Sequence, residues 1–328
     1  MRNLTILMFF TSTIAFAQFE EVVDLAGDLI LLTNQYIEPA AEATMYQTSG
    51  GWYTSAKKKE FWDIEVSLQG NMLFIPGKSK IFLVDESQLQ NLSIQGNDTT
   101  ALIPTTLGGD EVVVLEGSIN GDSFEFDTPE GINESTVTHY QVQASVGLWE
   151  GTTLIARYSP RVKINKTHYH IFGGGLQHNI SQWIPGLKSS SFNIAGLVSY
   201  SNFSVDNTFS EVDLAIGSLN SLVVDGESFM FNLIASKQLQ SFNFSTAIGV
   251  VSTNYKYDIG GEGDIVLSVL HQALNALDGN KTNIKADLGV DYNFRNFSVN
   301  TMLTIGNYTN LIFGINYNIR SKSVKTNG

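Results

Sequence analysis

The side chains able to do chemistry are few, because the 328-residue chain has no cysteine and only 5 histidines. Without cysteine there are no disulfides, thiolate zinc sites, iron–sulfur clusters or Cys nucleophiles. His168, His170 and His178 share strand parity and could converge on a metal. Spacing along one strand brings only the first two close, and no carboxylate accompanies them, so strand-end roles are expected. No His-Glu-x-x-His, Gly-x-Ser-x-Gly, phosphate-loop or EF-hand pattern occurs. His139 or His178 could act as a base in a barrel hydrolase, but nothing selects either one. The expectation is a protein that is not an enzyme, with no catalytic residue, no metal and no cofactor.

Other groups invite weaker readings. The triplet Gly173-Gly174-Gly175 removes side chains and weakens pairing. It reads as a curvature feature or a packing site for the N-terminal segment, with a ligand portal as the alternative. Lys57-Lys58-Lys59 reads as a solvated junction rather than a contact with anionic lipid. Asp63, Glu65, Asp287 and Asp291 fall on polar rows and should join Lys285 in a hydrogen-bonded interior rather than form an ion-selective ring.

Composition narrows the class. Charged residues make up 16% of the chain, below the roughly 25% of average soluble proteins, while 43% are hydrophobic. The formal net charge of −13, with 19 basic residues dispersed along the chain, excludes a nucleic-acid partner.

The elements that position these groups change in kind along the chain. Arg2, the apolar stretch from Leu4 to Phe16 and Ala15-Phe16-Ala17 read as a secretory signal over 1–17, which leaves a mature chain that starts near Gln18. No later apolar run approaches the roughly 20 residues of a spanning helix. Over 20–37, Val22, Leu25, Leu29, Ile30, Leu32, Tyr36 and Ile37 recur at helical spacing. Pro39 is expected to end that helix, and a short second piece follows from Ala40 to Tyr46, ahead of Gly50-Gly51 and Trp52-Tyr53. Residues 18–59 form one unit.

From Phe61 the period becomes two. Trp62, Ile64, Val66, Leu68 and Met72 alternate with Asp63, Glu65, Ser67 and Gln69, and similar rows recur to Ile319. Rows of about 9–11 residues match tilted membrane-crossing strands and exceed soluble ones. The fold class is therefore all-β: a transmembrane antiparallel barrel of 10–14 strands over 60–320, behind a short N-terminal helical hatch. Ten strands are clear, and 81–84, 111–119, 123–128 and 211–224 supply the uncertainty. Segments 77–137, 204–227 and 255–281 read as long polar loops, with 77–137 as an insertion. Residues 321–328 form a basic tail. Val66, Leu288 and Val290 should face lipid, and Gln69 and Asn293 the lumen.

The helical segment ending in Gly-Gly-Trp-Tyr, the strand Phe61 to Pro76, the run Gly151 to Pro160, and Phe172-Gly173-Gly174-Gly175-Leu176-Gln177-His178-Asn179-Ile180 with Trp183-Ile184-Pro185 resemble an uncharacterised family of Gram-negative outer-membrane proteins. That family in turn resembles the FadL-type fatty-acid transport barrels. The resemblance implies outer-membrane localisation, a hatch in the lumen and lateral delivery of hydrophobic ligands. Leu25, Leu29, Leu32, Gly173, Gly174 and Gly175 are the candidate ligand path. The expected partners are outer-membrane lipid and a hydrophobic or amphipathic small molecule. The alternative is a structural, surface-display or anchoring barrel without transport.

Overall fold

The structure, a computed structural model, describes residues 2–119, 121–164, 167–188, 190–214, 217–263, 268, 271 and 279–319. Side chains are described from Glu21 onward, except those of 162–164, 167 and 214. The long helix α1 (Arg2–Ser49) leads to β1 (Ile64–Phe74). An insertion follows with β2 (Ile81–Asp85), β3 (Ser93–Ile94), β4 (Thr100–Pro104), β5 (Val114–Ile119) and β6 (Asp122–Asp127). Then come β7 (Thr136–Gly147), β8 (Thr152–Ile164), β9 (Thr167–Asn179), β10 (Phe192–Leu214), β11 (Gly217–Leu239), β12 (Phe242–Glu262), β13 (Gly279–Phe294), β14 (Phe297–Ile305) and β15 (Thr309–Ile319).

Among the described residues, β1 and β7–β15 close one antiparallel barrel of ten strands, with β1 hydrogen-bonded to β15 on one side and β7 on the other. Short turns join β7–β8, β11–β12 and β13–β14 at one end, where β1 starts and β15 finishes. The insertion lies at the opposite, long-loop end, where β12 finishes and β13 starts. The insertion is not a loop: it folds into a β2–β4 pair and a β3–β5–β6 sheet outside the barrel.

The wall is apolar outside and polar inside. Leu68, Ile248, Leu288 and Ile315 are all more than half exposed, whereas Gln69, Gln141, Asn232, Asp287 and Asn316 are buried. Only a barrel standing in lipid is built this way round. Aromatics collect at the short-turn rim: Trp62, Trp149 and Trp183 are exposed there, and Phe242–Tyr292 and Phe297–Tyr317 pair with ring centroids 5.0 and 4.9 Å apart. This is an interfacial girdle.

Two sequence expectations are corrected. Segment 204–227 is no loop, because β10 and β11 run 23 residues each and pair almost to their tips. Together with the 21 residues of β12 they form a wall about ten residues taller than β14, β15 and β1, which is roughly 30 Å along the strand. The parity of their apolar residues inverts on the way up. In β11, Phe229 and Phe231 point outward, whereas from Glu227 upward the outward positions carry Glu227 and Asp225, both exposed, and Leu222 and Val224 are buried inward. In β12 the outward row passes from Ile248 and Val250 to Ser252, Asn254 and Lys256, while Tyr255 and Ile259 turn inward. The inversion marks where the wall leaves the membrane. At that level Phe203, Gly226 and Tyr255 stand side by side across the three strands, and the Phe203 ring occupies the space where a Gly226 side chain would be.

The second correction concerns Pro39, which does not end the helix. A proline removes one N–H bond and crowds the turn before it. Tertiary bonds hold the helix on both sides of it: the Tyr36 carbonyl accepts both the N–H and the hydroxyl of Thr106, each at 2.9 Å, and the Pro39 carbonyl accepts Tyr308 Oη at 2.8 Å.

Arginine at Val66 or Leu288 should cost about 2–4 kcal/mol, and at Asp225 or Asn254 about 0–1 kcal/mol, when folding is titrated in lipid vesicles. Arginine at Gln69 should also be costly although it faces the lumen, because its side chain is buried in bonds to Gly51 and Gln141. Equal costs at both levels would contradict the assigned membrane boundary.

Candidate functional site: the plugged lumen

Helix α1 passes from the long-loop end down into the barrel. Its upper part lies outside the membrane, where Leu25, Leu29 and Leu32 pack with Val84, Ile103 and Leu115 of the insertion and with Leu222, Val224 and Ile259 of the tall wall. An amphipathic stripe needs such a partner, and the insertion supplies it. Asp28 pins the two together: its buried carboxylate accepts the backbone N–H groups of Gln90, Asn91 and Leu92 at 2.8, 2.7 and 2.8 Å. Charge-assisted bonds of this kind are about twice as strong as neutral ones. Tyr36 donates to the Glu130 carbonyl at 2.7 Å. Burial pushes its phenol up to about 12, so it stays a neutral donor.

The lower part fills the lumen. Tyr255 Oη donates to the Ala41 carbonyl at 3.0 Å, and Tyr46 sits over Gly306, where no side chain competes for the space. A helix ending inside a barrel leaves its last carbonyls without partners and carries the negative end of its dipole. Here the wall answers both. Arg157 Nη1 donates to the Thr48 carbonyl at 3.1 Å and Lys285 Nζ to the Ser49 carbonyl at 2.9 Å. The Arg157 guanidinium also bonds Gln143 Oε1 at 2.9 Å and lies 4.0 Å above the Trp52 ring. Lys285 pairs with Asp287 at 2.7 Å, and Asp287 in turn accepts from Tyr53 Oη at 3.1 Å and Thr304 Oγ1 at 2.8 Å.

Below the helix the chain continues as an extended strap whose backbone is read by wall side chains. Gln69 donates to the Gly51 carbonyl, Asn243 to Thr54, Gln177 to Ser55 and Asn179 to Ala56, at 2.7–3.0 Å. At the short-turn end it opens into a polar vestibule of about 220 Å3 edged by Lys57, Lys58, Lys59, Asp63, Glu65 and Asp291. Lys59 pairs with Glu65 at 3.2 Å.

The residues proposed as a ligand path are not brought together. Leu25, Leu29 and Leu32 lie in the cap, and Leu29 and Leu32 edge an apolar cavity of about 50 Å3 with Tyr36, Phe82 and Ile103. The glycine triplet lies far below. Gly173 and Gly175 face inward, where side chains would sit 3.1–3.2 Å from the Trp52 indole, so they make room for it. Gly174 faces outward onto an open apolar groove of about 690 Å3 among Leu154, Leu176, Tyr200, Phe229 and Phe231. The histidines form no catalytic or metal cluster among the described residues. His178 contacts the Thr152 hydroxyl at 3.0 Å and Trp183 Nε1 at 3.1 Å, and His139 is buried edge-on to Tyr169. The grouping of Asp287 with Lys285 follows the polar rows. The parts played by Arg157 and Trp52 do not, although one arginine on an inward row opposite small residues is a signal that a buried partner must exist.

The model of a family of unknown function, DUF6588, matches residues 1–319. The chain belongs to that family. No curated protein matches it. Among solved structures it is similar to the translocator domain of the autotransporter NalP from Neisseria meningitidis, at 12% identity and TM-score 0.41, over 88% of this chain and 99% of that one. It is also similar to the β domain of the Bordetella autotransporter BrkA, at 7% and 0.38, over 79% and 100%. The outer-membrane protease OmpT from Escherichia coli matches at 8% and 0.32, over 81% and 100%. The architecture of the DUF6588 chain thus rests on its own strand pairing.

Replacing Asp287 by Ala leaves Lys285 buried without its counter-charge and should cost about 3–5 kcal/mol, read from urea unfolding in vesicles by the heat-dependent gel shift. The double variant Lys285→Met/Asp287→Leu should recover only part of that loss, because the Ser49 carbonyl and the Tyr53 and Thr304 hydroxyls then lose these partners. A loss below about 1 kcal/mol in the single variant would mean that the pair does not hold the plug.

Proposed function

We propose that the protein is an outer-membrane barrel, exported by its N-terminal signal, that acts as an anchoring and display device. Its short turns face the periplasm, as is usual for such barrels. Its lumen is closed by its own chain, and its working surface is the external cap of α1, the insertion and the tall β10–β12 wall. One observation carries this reading: the backbone carbonyls at Thr48, Ser49, Gly51, Thr54, Ser55 and Ala56 are all claimed by side chains of the plug or the barrel wall. A plug bonded at nearly every step has no slack for passing cargo. No step of this role requires catalysis.

A second reading, passage of a hydrophobic small molecule as in the FadL-type barrels, draws on the apolar cavity beside Leu29, Leu32 and Tyr36. Ligand would enter past Leu25, Leu29 and Leu32, move along the plug, and leave beside the glycine triplet. Gly174 is the position that separates the two readings, because it alone of the three glycines faces outward, and a side chain there meets only the Ile155 carbonyl at 3.7 Å.

Reconstituted in liposomes, the protein should pass neither small sugars nor a fluorescent fatty acid above the lipid background, and Gly174→Val should behave as wild type. Fatty-acid uptake that Gly174→Val abolishes would establish the transport reading instead.

A further inference from the structure

The insertion carries an apolar face that the plug does not cover. Strands β2 and β4 form an isolated antiparallel pair, with Leu83 opposite Leu102 and Ile81 opposite Pro104. Its inner face, Val84 and Ile103 with Phe82 and Ala101, packs into the cap core around α1. Its outer face presents Ile81, Leu83 and Leu102 at 46%, 58% and 58% exposure. A pair with one face covered by its own core ordinarily shows polar residues on the other. Three large aliphatic side chains there mark an interaction surface.

Its position and charge identify what covers it. The outward lipid-facing row of β1 ends at Phe74, and the chain reaches Lys78, Lys80 and Ile81 within one short turn. The patch therefore begins seven residues along the chain from the lipid-facing row of β1. Lys78 and Lys80 flank it at the end joined to β1, whereas Asp85 and Glu86 close the other end of β2. The patch is thus bordered by two lysines where it meets the barrel, in a chain whose net charge is −13. Aliphatic side chains at the headgroup level beside lysines is the pattern of an interfacial anchor on an anionic surface.

We infer that the outer face of β2–β4 docks on the outer-leaflet lipid, with Ile81, Leu83 and Leu102 among the upper acyl segments and Lys78 and Lys80 on the phosphates of anionic headgroups. The contact would fix the insertion, and the α1 segment that it holds through Asp28, at a set height above the bilayer. This inference goes beyond the display role and does not depend on it, because a transporting barrel could carry the same anchor.

The test uses the full-length protein with Leu83→Cys, and separately Leu102→Cys, each carrying an environment-sensitive fluorophore, in vesicles of phosphatidylcholine with or without phosphatidylglycerol. Both positions are exposed, so the barrel should assemble normally, as checked by the heat-dependent gel shift. A label at Asp122→Cys, exposed on another part of the insertion, serves as the aqueous reference. Lipids brominated on the upper acyl chain should quench the labels at 83 and 102 at least twofold more than the label at 122. The anionic vesicles should give the larger effect, and Lys78→Glu/Lys80→Glu should remove that increment. Labels at 83 and 102 as open to aqueous iodide as the label at 122, in both vesicle types, would overturn the inference. Energy transfer between labelled copies that rises with protein density, without quenching by lipid, would overturn it in favour of a second copy of the chain.

Discussion

The structure depends on what meets the C-terminal end of α1. A helix that stops in the middle of a barrel brings unpaired carbonyls and a negative dipole end into a space with little water, and each unmet group there costs about 1–3 kcal/mol. Arg157 and Lys285 reach that end from opposite parts of the wall, and each donates to one terminal carbonyl. Two buried cations are costly in turn, so Gln143 and the Trp52 ring serve the first and Asp287 the second. Removing any one member leaves another unpaired. This interdependence makes the plug part of the barrel core rather than a movable lid.

The rest of the architecture follows from where the plug begins. Because the strap ends at the short-turn rim, where β1 starts, the helix must climb to the opposite end, and its apolar stripe emerges above the lipid. A stripe in water needs cover. The tall β10–β12 wall gives one side of that cover, the insertion the other, and Asp28 fastens the helix to the insertion. The inversion of apolar parity along β10–β12 is the same logic within a single strand. In lipid the apolar residues face out, and above it they face the cap core. Glycines appear where the two parts press together: Gly226 beneath the Phe203 ring, Gly306 beneath Tyr46, and Gly173 and Gly175 around Trp52.

The period-two rows made the membrane barrel legible, since Val66 to Met72 and Ile284 to Phe294 keep apolar and polar positions apart and must do so to face lipid and lumen at once. The tall hairpin was not legible. Once β10 and β11 leave the membrane, their outward residues, Ser204, Asp206, Asp225 and Glu227, look like loop, and the apolar set changes parity just where a pattern is sought. Pro39 misled because tertiary contacts override local propensity, here the bonds of Thr106 to the Tyr36 carbonyl and of Tyr308 to the Pro39 carbonyl. Leu25, Leu29 and Leu32 and the glycine triplet stand out in the sequence as the expected ligand path. Their grouping into one path assumed that the whole N-terminal unit sits in the lumen, whereas the upper half of α1 lies outside it.

The central claim is that the chain threads the barrel, with the start of the described helix surface outside and the strap end inside. Single cysteines at Val23, which is 44% exposed in the cap, and at Lys58, exposed at the short-turn end, report the two ends. With a membrane-impermeant maleimide on intact cells, the account predicts that Val23→Cys labels at once and that Lys58→Cys labels only after the outer membrane is permeabilised. Labelling of Lys58→Cys on intact cells with Val23→Cys protected would contradict it.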